Sequence, residues 1–405
     1  MVHTMWKNKS FKRLWIGNAI SELGGAFGTF CNGLLIYELT GSTLALGSMW
    51  LLYFSLSLIV QLFSGPYIDR WSRKWIMVIA LWSRGVIFLI PLIAVSFDML
   101  MPWHIYMVQI IVGLITPLYI PANRAILPTV VSKEHLAIAN GYLDGTVRLM
   151  TFLAPIVAGL VIEYIGIHVT LSLVCIALLT SGLLVFFVEE KRTIQTIRGT
   201  WLEQFREGLH YFFKQRSIVW LSIFLAFVQF GVGVTMVTTI PYVTTELHGS
   251  YAVYGYFMAG FPLGYVIGTM AIGKIKLKSK RLVMLGALVV GGITYLNLAF
   301  THSIVSAITT ETIAGIAMAI FSAHNTTMFQ QMVPNHLMGK LFFVRMLIIR
   351  GVLPFGVLVG GILSDVWGVR PLYVLIGSII CLTSLIGLII PYFKFLEEQP
   401  EESAA

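Results

Sequence analysis

Charge is what this chain lacks most. Only 11% of its 405 residues are Asp, Glu, Lys or Arg, against roughly 25% in soluble domains; 57% are hydrophobic, and mean hydropathy is +0.86. A soluble helical protein with one large buried core is excluded, because apolar runs of about 20 residues, the length a helix needs to cross hydrocarbon, recur with few charges inside them. Cysteine is equally scarce. Cys31, Cys175 and Cys381 all fall inside such runs and read as small apolar residues, so neither a disulfide framework nor a metal site is expected. No His/Cys cluster has ligand spacing and no G-x-x-x-x-G-K-[ST] loop occurs, which argues against an ATP-driven pump and implies no cofactor. No nucleophile, base and orienting group stand at motif spacing, so an enzyme is not expected.

What is present is an all-α membrane protein with twelve candidate spans, running from Phe11–Tyr37 to Leu372–Phe395. The first span lacks the short apolar core and small-residue cleavage site of a signal peptide and is expected to stay in the mature protein. Lys and Arg collect in alternate loops, and Arg370 alone falls in an opposite-side loop. The positive-inside bias then places both termini in the cytoplasm of a cell-membrane protein, in a bacterium the inner membrane. The net charge of +9 is thereby a topology signal, and no nucleic-acid partner is needed to explain it. One inner loop is long. Within it WLEQFREGLHYFFKQRS sets Trp201, Phe205, Leu209 and Phe212 or Phe213 at helical spacing between charges, as expected of a helix on the inner membrane face.

That loop divides two similar halves. VSKEHLAIANGY (Val131–Tyr142) and MVPNHLMGKLFF (Met332–Phe343) share His-Leu, and ELTGSTLALG (Glu38–Gly47) and ELHGSYAVYG (Glu246–Gly255) share Glu-Leu, Gly-Ser and Gly at one offset. The economical reading is two six-helix repeats, 1–190 and 217–405, joined by a cytoplasmic linker, 191–216. In each half the His-Leu segment precedes a span bearing Pro and Gly: Gly141, Pro155 and Gly159 in the fifth, Pro354 and Gly360 in the eleventh. These are expected packing and hinge positions.

An ionisable side chain at bilayer depth costs at least about 2.5 kcal/mol on insertion scales and marks a functional candidate. Glu22 lies near the middle of the first span, with Asn18, Gly25, Thr29 and Asn32 at spacings of three and four, a polar stripe on one helix face. A cavity wall with a proton-carrying carboxylate is one reading; a packing face with Glu22 hydrogen-bonded to a neighbour is the other. Glu311 repeats the pattern on the tenth span with Gly315, Met318, Ser322 and Asn325, either as a cavity residue or as a solvated rim charge. Asp144 and Arg148, four apart on the fifth span, are spaced for an ion pair of more structural than proton-carrying character. Arg84 on the third span either pairs with an acid or holds an anionic group. The aromatic residues and 17 methionines are expected chiefly at lipid, interface and helix contacts and decide nothing about substrate.

SGPYIDRWSRKW (Ser64–Trp75) lies between the second and third spans. Its Gly65-x-x-x-Asp69-Arg70-x-x-Arg73-Lys74 resembles the loop motif of the major facilitator superfamily. IPANRAILPTVVSKEHLAIANGY, REGLHYFFKQRSIVWL and LPFGVLVGGILSDVWGVR together resemble the branch of enterobactin exporters and macrolide-efflux proteins. The resemblance implies twelve transmembrane helices in two repeats around a central cavity lined by the first, fourth, seventh and tenth helices. It also implies a conformational latch at Gly65, Asp69, Arg70 and Arg73. The equivalent stretch of the second half, GKIKLKSKR, has Leu277 where the acid would be, so only one half carries a full latch. The fifth span is similar to the antiporter motif at Gly141, Pro155 and Gly159 but has Met150, Ala154 and Ala158 in place of glycines. The expected function is proton-coupled export of a bulky amphipathic small molecule such as a drug, macrolide or siderophore. The expected partners are that substrate, protons and membrane lipid, with no obligate protein partner. A nutrient importer or symporter on the same fold, or a non-transporting membrane sensor, are the alternatives.

Overall fold

A computed structural model describes residues 6–68, 71–190, 201–272, 279–333, 338–390 and 393. Among them every regular element is helical, and twelve helices are long and apolar enough to cross a membrane. Spans 1 to 6 are Lys9–Thr40, Thr43–Leu62, Arg73–Ser96, Pro102–Val130, Ile138–Tyr164 and Ile167–Phe186. Spans 7 to 12 are Arg216–Glu246, Tyr251–Ile272, Arg281–Phe300, Ile304–Met332, Val344–Trp367 and Val369–Ile389.

Local chemistry sets the ends and breaks of these helices. Asn8 caps span 1 by accepting from the backbone N–H of Ser10 and Phe11, and its amide donates to Val130 O at 2.8 Å, tying the start of span 1 to the end of span 4. Span 3 consists of two helices, Arg73–Ile87 and Leu89–Ser96, meeting at Phe88. Pro91 causes the break: it has no N–H to offer the carbonyl of Ile87, and its ring crowds that carbonyl. The start of span 3 is held by Glu190, from the end of span 6. The Glu190 carboxylate accepts from Ser72 Oγ at 2.6 Å and from the backbone N–H of Arg73 and Lys74 at 3.1 and 3.2 Å. A carboxylate there satisfies orphan donors and complements the helix dipole.

The chain divides into two compact units, 1–197 with Ser250–Tyr256, and 198–249 with 257–405. In the first unit span 1 packs on spans 5 and 6, span 2 on span 4, and span 3 on spans 4 and 6. Small residues make the approach close. Ser181 donates to Gly17 O at 2.7 Å, and a Cβ on Gly24 would stand 2.9 Å from that of Ala177. Gly159 sits against the backbone of Tyr251 and Ala252, and Pro155 lies inside helix Leu136–Tyr164. An added Cβ at Gly141 would meet nothing within 4 Å among the described residues.

In the second unit span 7 packs on span 11, and span 9 on spans 10 and 12. A Cβ on Gly233 would stand 2.5 Å from Leu353 O, beside Pro354, and one on Gly360 would stand 2.9 Å from the Cα of Val234. The linker helix, Trp201–Lys214, belongs to this unit. Phe212 enters a core with Phe224, Met284, Phe321 and Phe329, and Leu209 packs against it, while Phe213 remains 63% exposed.

Candidate transport sites

In the first unit the polar face of span 1 meets span 4. Tyr119 donates its hydroxyl to Asn18 Oδ1 at 2.9 Å and lies 3.3 Å from Ser21 Oγ; all three residues are buried. Glu22, one residue on and half-buried, has Arg84 of span 3 as its charged neighbour. Gly25 makes room for that arginine. Arg84 Nη2 lies 2.8 Å from where a Cβ on Gly25 would stand, so a residue with a side chain would displace the guanidinium. Among the described residues, four buried polar atoms of spans 1 and 4 find no protein partner: Asn18 Nδ2, Asn32 Oδ1, Gln109 Nε2 and Asn123 Oδ1.

The residues marked in the sequence divide accordingly. Glu22, Asn18 and Arg84 come together; Asn32 is buried further along span 1, and Thr29 is exposed. Tyr119 and Ser21, which join Asn18 into a network, were not marked, since a hydroxyl carries no motif or charge. The one cue for Tyr119 is its place between Pro117 and Pro121 in an otherwise apolar span. Asp144 and Arg148 are both exposed on span 5.

In the second unit Glu311 is buried, 8% exposed, on span 10. Of the stripe beside it, Gly315, Met318 and Asn325 are engaged in helix contacts. Gly315 fits against the backbone of Phe261 and Tyr265 on span 8. Asn325 donates to Leu221 O at 2.9 Å and accepts from Arg345, whose guanidinium lies 4.2 Å from the Phe329 ring centroid. Met318 packs against the core that holds Phe329, and Ser322 is half-buried. At the other end of this unit Arg370 joins three connections. Its Nε bonds Glu246 at 2.7 Å, its Nη1 donates to Ala299 O and Thr301 O at 2.9 and 2.8 Å, and its Nη2 donates to His302 Nδ1 at 3.2 Å.

Of the motif between spans 2 and 3, Asp69 and Arg70 lie outside the described residues. Gly65 falls in helix Thr43–Ile68, and Arg73 opens the next helix on the Glu190 cap, its own Nε buried and without a partner among the described residues.

Residues 3–404 match the family described as transmembrane secretion effector, a group of the major facilitator superfamily. The chain belongs to this family. It is a multi-pass membrane transporter and not an enzyme. Its relatives include macrolide efflux protein A of Streptococcus pyogenes, 22% identical over 94% of this chain and 95% of that protein. The staphyloferrin A transporter of Staphylococcus aureus is 22% identical over 80% of this chain and 82% of its own length. Among solved structures, the nucleoside transporter NupG (D323A mutant) superposes with a TM-score of 0.78 at 12% identity, covering 93% of this chain and 99% of that one. A likeness at that identity establishes the major facilitator fold alone.

Proposed function

We propose that this protein is a proton-coupled exporter of a bulky amphipathic small molecule, working by alternating access with both termini in the cytoplasm. The observation that carries the reading is Glu22 beside Arg84 in the polar network of Asn18, Ser21 and Tyr119. A carboxylate within a membrane span needs a compensating charge or a proton. Arg84 supplies the charge. Protonation of Glu22 loosens its hold on Arg84, and loss of the proton restores it, so the pair has two states that a gradient can drive. Family membership and the efflux proteins among its relatives support the outward direction. In this reading Gly65, Asp69, Arg70 and Arg73 form the conformational latch, and Glu190 holds the helix that begins at Arg73.

The test uses everted membrane vesicles and a panel containing a macrolide and a polycarboxylate siderophore. Export predicts accumulation of at least one compound when the vesicle interior is acidified, and none when the gradient is collapsed. Accumulation only in right-side-out vesicles would establish the importer reading instead.

A further inference from the structure

Arg370 and His302 line a cavity of about 560 Å³ in the second unit, away from Glu22 and the span 1 network. It lies where span 9 ends at Phe300 and span 12 begins at Val369, and its other walls are Ala299, Phe300, Pro371 and Val374. Those four are apolar. Phe300 is 71% exposed, and Trp367, an exposed indole at the end of span 11, precedes the Gly368 cap of span 12. Indoles at span ends belong to the level where headgroups meet hydrocarbon.

The polar wall offers donors. A guanidinium has five N–H groups and no acceptor. Arg370 commits four of them, to Glu246, to Ala299 O and Thr301 O, and to His302 Nδ1; the fifth, on Nη2, has no partner among the described residues. Because Arg370 can only donate, His302 Nδ1 accepts, which leaves the imidazole proton on Nε2. That N–H too has no partner among the described residues. Arg370 and Pro371 also stand in the first turn of span 12, at the positive end of its dipole.

Two N–H donors and a helix N-terminus beside four apolar walls fit a ligand with an anionic head and an apolar body. A phosphodiester accepts from both donors through its two non-bridging oxygens, in charge-assisted bonds, while its acyl chains cover Phe300 and Val374. A free phosphate would leave those walls bare. The sequence agrees, since Arg370 is the one Lys or Arg in a loop on the side away from the other basic loops and is not explained by orientation bias. We propose that this cavity binds a membrane phospholipid, its phosphate held by Arg370 Nη2 and His302 Nε2 and its chains lying along Phe300 and Val374. In the proposed topology the lipid belongs to the outer leaflet. That leaflet assignment rests on the orientation reading; the binding chemistry does not.

The experiment uses purified full-length protein in a maltoside detergent, which carries no phosphate, and two photoactivatable probes with the same diazirine-bearing acyl chains. One is a phosphatidylglycerol and the other the diacylglycerol that lacks its headgroup. Labelling of the peptides that hold Phe300 and Val374 should reach half-saturation at about tenfold lower concentration for the phospholipid, the worth of one charge-assisted hydrogen bond. His302→Phe removes a donor and should lose most of that difference, whereas His302→Gln, which keeps an N–H, should retain part of it. Should His302→Phe fail to fold, the wild-type comparison of the two probes decides alone. Unlabelled phosphatidylglycerol should displace the probe, and millimolar inorganic phosphate should not. Equal half-saturation by the two probes, an undiminished difference in folded His302→Phe, or displacement by phosphate, which would mark a site for free anions, would each overturn the assignment. Failure of the orientation reading looks different: the same peptides would be labelled, and the lipid would belong to the inner leaflet.

Discussion

Tyr119, between two prolines of span 4, donates its hydroxyl to Asn18 of span 1 at 2.9 Å, and Glu22 stands one helical turn beyond Asn18. The bond fixes the face of span 1 that carries the carboxylate. Tyr119→Phe removes the donor and adds Asn18 Oδ1 to the unpaired amide nitrogen already present. We expect a stability loss of about 1 kcal/mol, the scale of one buried interhelical hydrogen bond. Denaturant titration in detergent checks it, and a shift below about 0.3 kcal/mol would show that the bond does not hold the helices.

Two glycines of span 1 separate fold from function. At Gly25 an added Cβ meets the flexible end of Arg84, and at Gly28 it meets the Phe88 ring at 2.5 Å. Gly28→Ala should therefore cost about 1–3 kcal/mol of stability through overpacking. Gly25→Ala should fold nearly as well as wild type but transport poorly, because Arg84 is pushed from its place beside Glu22. Thermal unfolding and vesicle uptake, measured on both variants, decide between this and two simple packing positions.

Glu190 carries the third expectation. Replacing it by Ala leaves the Ser72 hydroxyl and the backbone N–H of Arg73 and Lys74 without their acceptor. The loss should be about 1–2 kcal/mol, as for other helix caps, with faster proteolysis in the loop that precedes Arg73. Glu190→Gln keeps an acceptor and should recover part of the loss. Unchanged proteolysis in Glu190→Ala would show that the segment preceding Arg73 does not depend on this anchor.

Much of the fold was legible because hydrophobic length is a local property of the chain. The twelve spans could be read that way, the family from the loop motif and the three segments that resemble its branch, and Glu22 and Arg84 stood out as charges within apolar runs. Their meeting could not be read, since it depends on spans 1 and 3 both packing on span 6 and on Gly25 lacking a side chain. A polar stripe is ambiguous for a related reason. Asn325 fits the helical period of Glu311, yet its amide is spent on Leu221 and Arg345, because a polar side chain on a membrane helix can serve a neighbouring helix as readily as a cavity. Glu190 was hidden at the edge of the linker, where nothing in its sequence neighbourhood shows that it caps a helix more than a hundred residues earlier. The break at Phe88 had a visible cause in Pro91, but hydropathy alone passes over it.

Orientation is testable without any knowledge of the substrate. A single cysteine introduced at Gln195, in a background lacking Cys31, Cys175 and Cys381, should escape a membrane-impermeant thiol reagent in intact cells and react after permeabilisation. Labelling in intact cells would invert the proposed topology.

The central claim is that Glu22 carries the proton that drives export, and Glu22→Gln tests it most directly. Glutamine keeps the shape of the side chain and its capacity to hydrogen-bond but cannot release a proton, so it fixes one of the two states of the Glu22–Arg84 pair. Uphill uptake of a transported probe into everted vesicles, driven by an acid interior, should fall to the level of vesicles without the protein, while downhill exchange of the same probe persists, since exchange needs no change of protonation. Uphill uptake at the wild-type rate in Glu22→Gln would contradict the account and return the polar face of span 1 to a packing role.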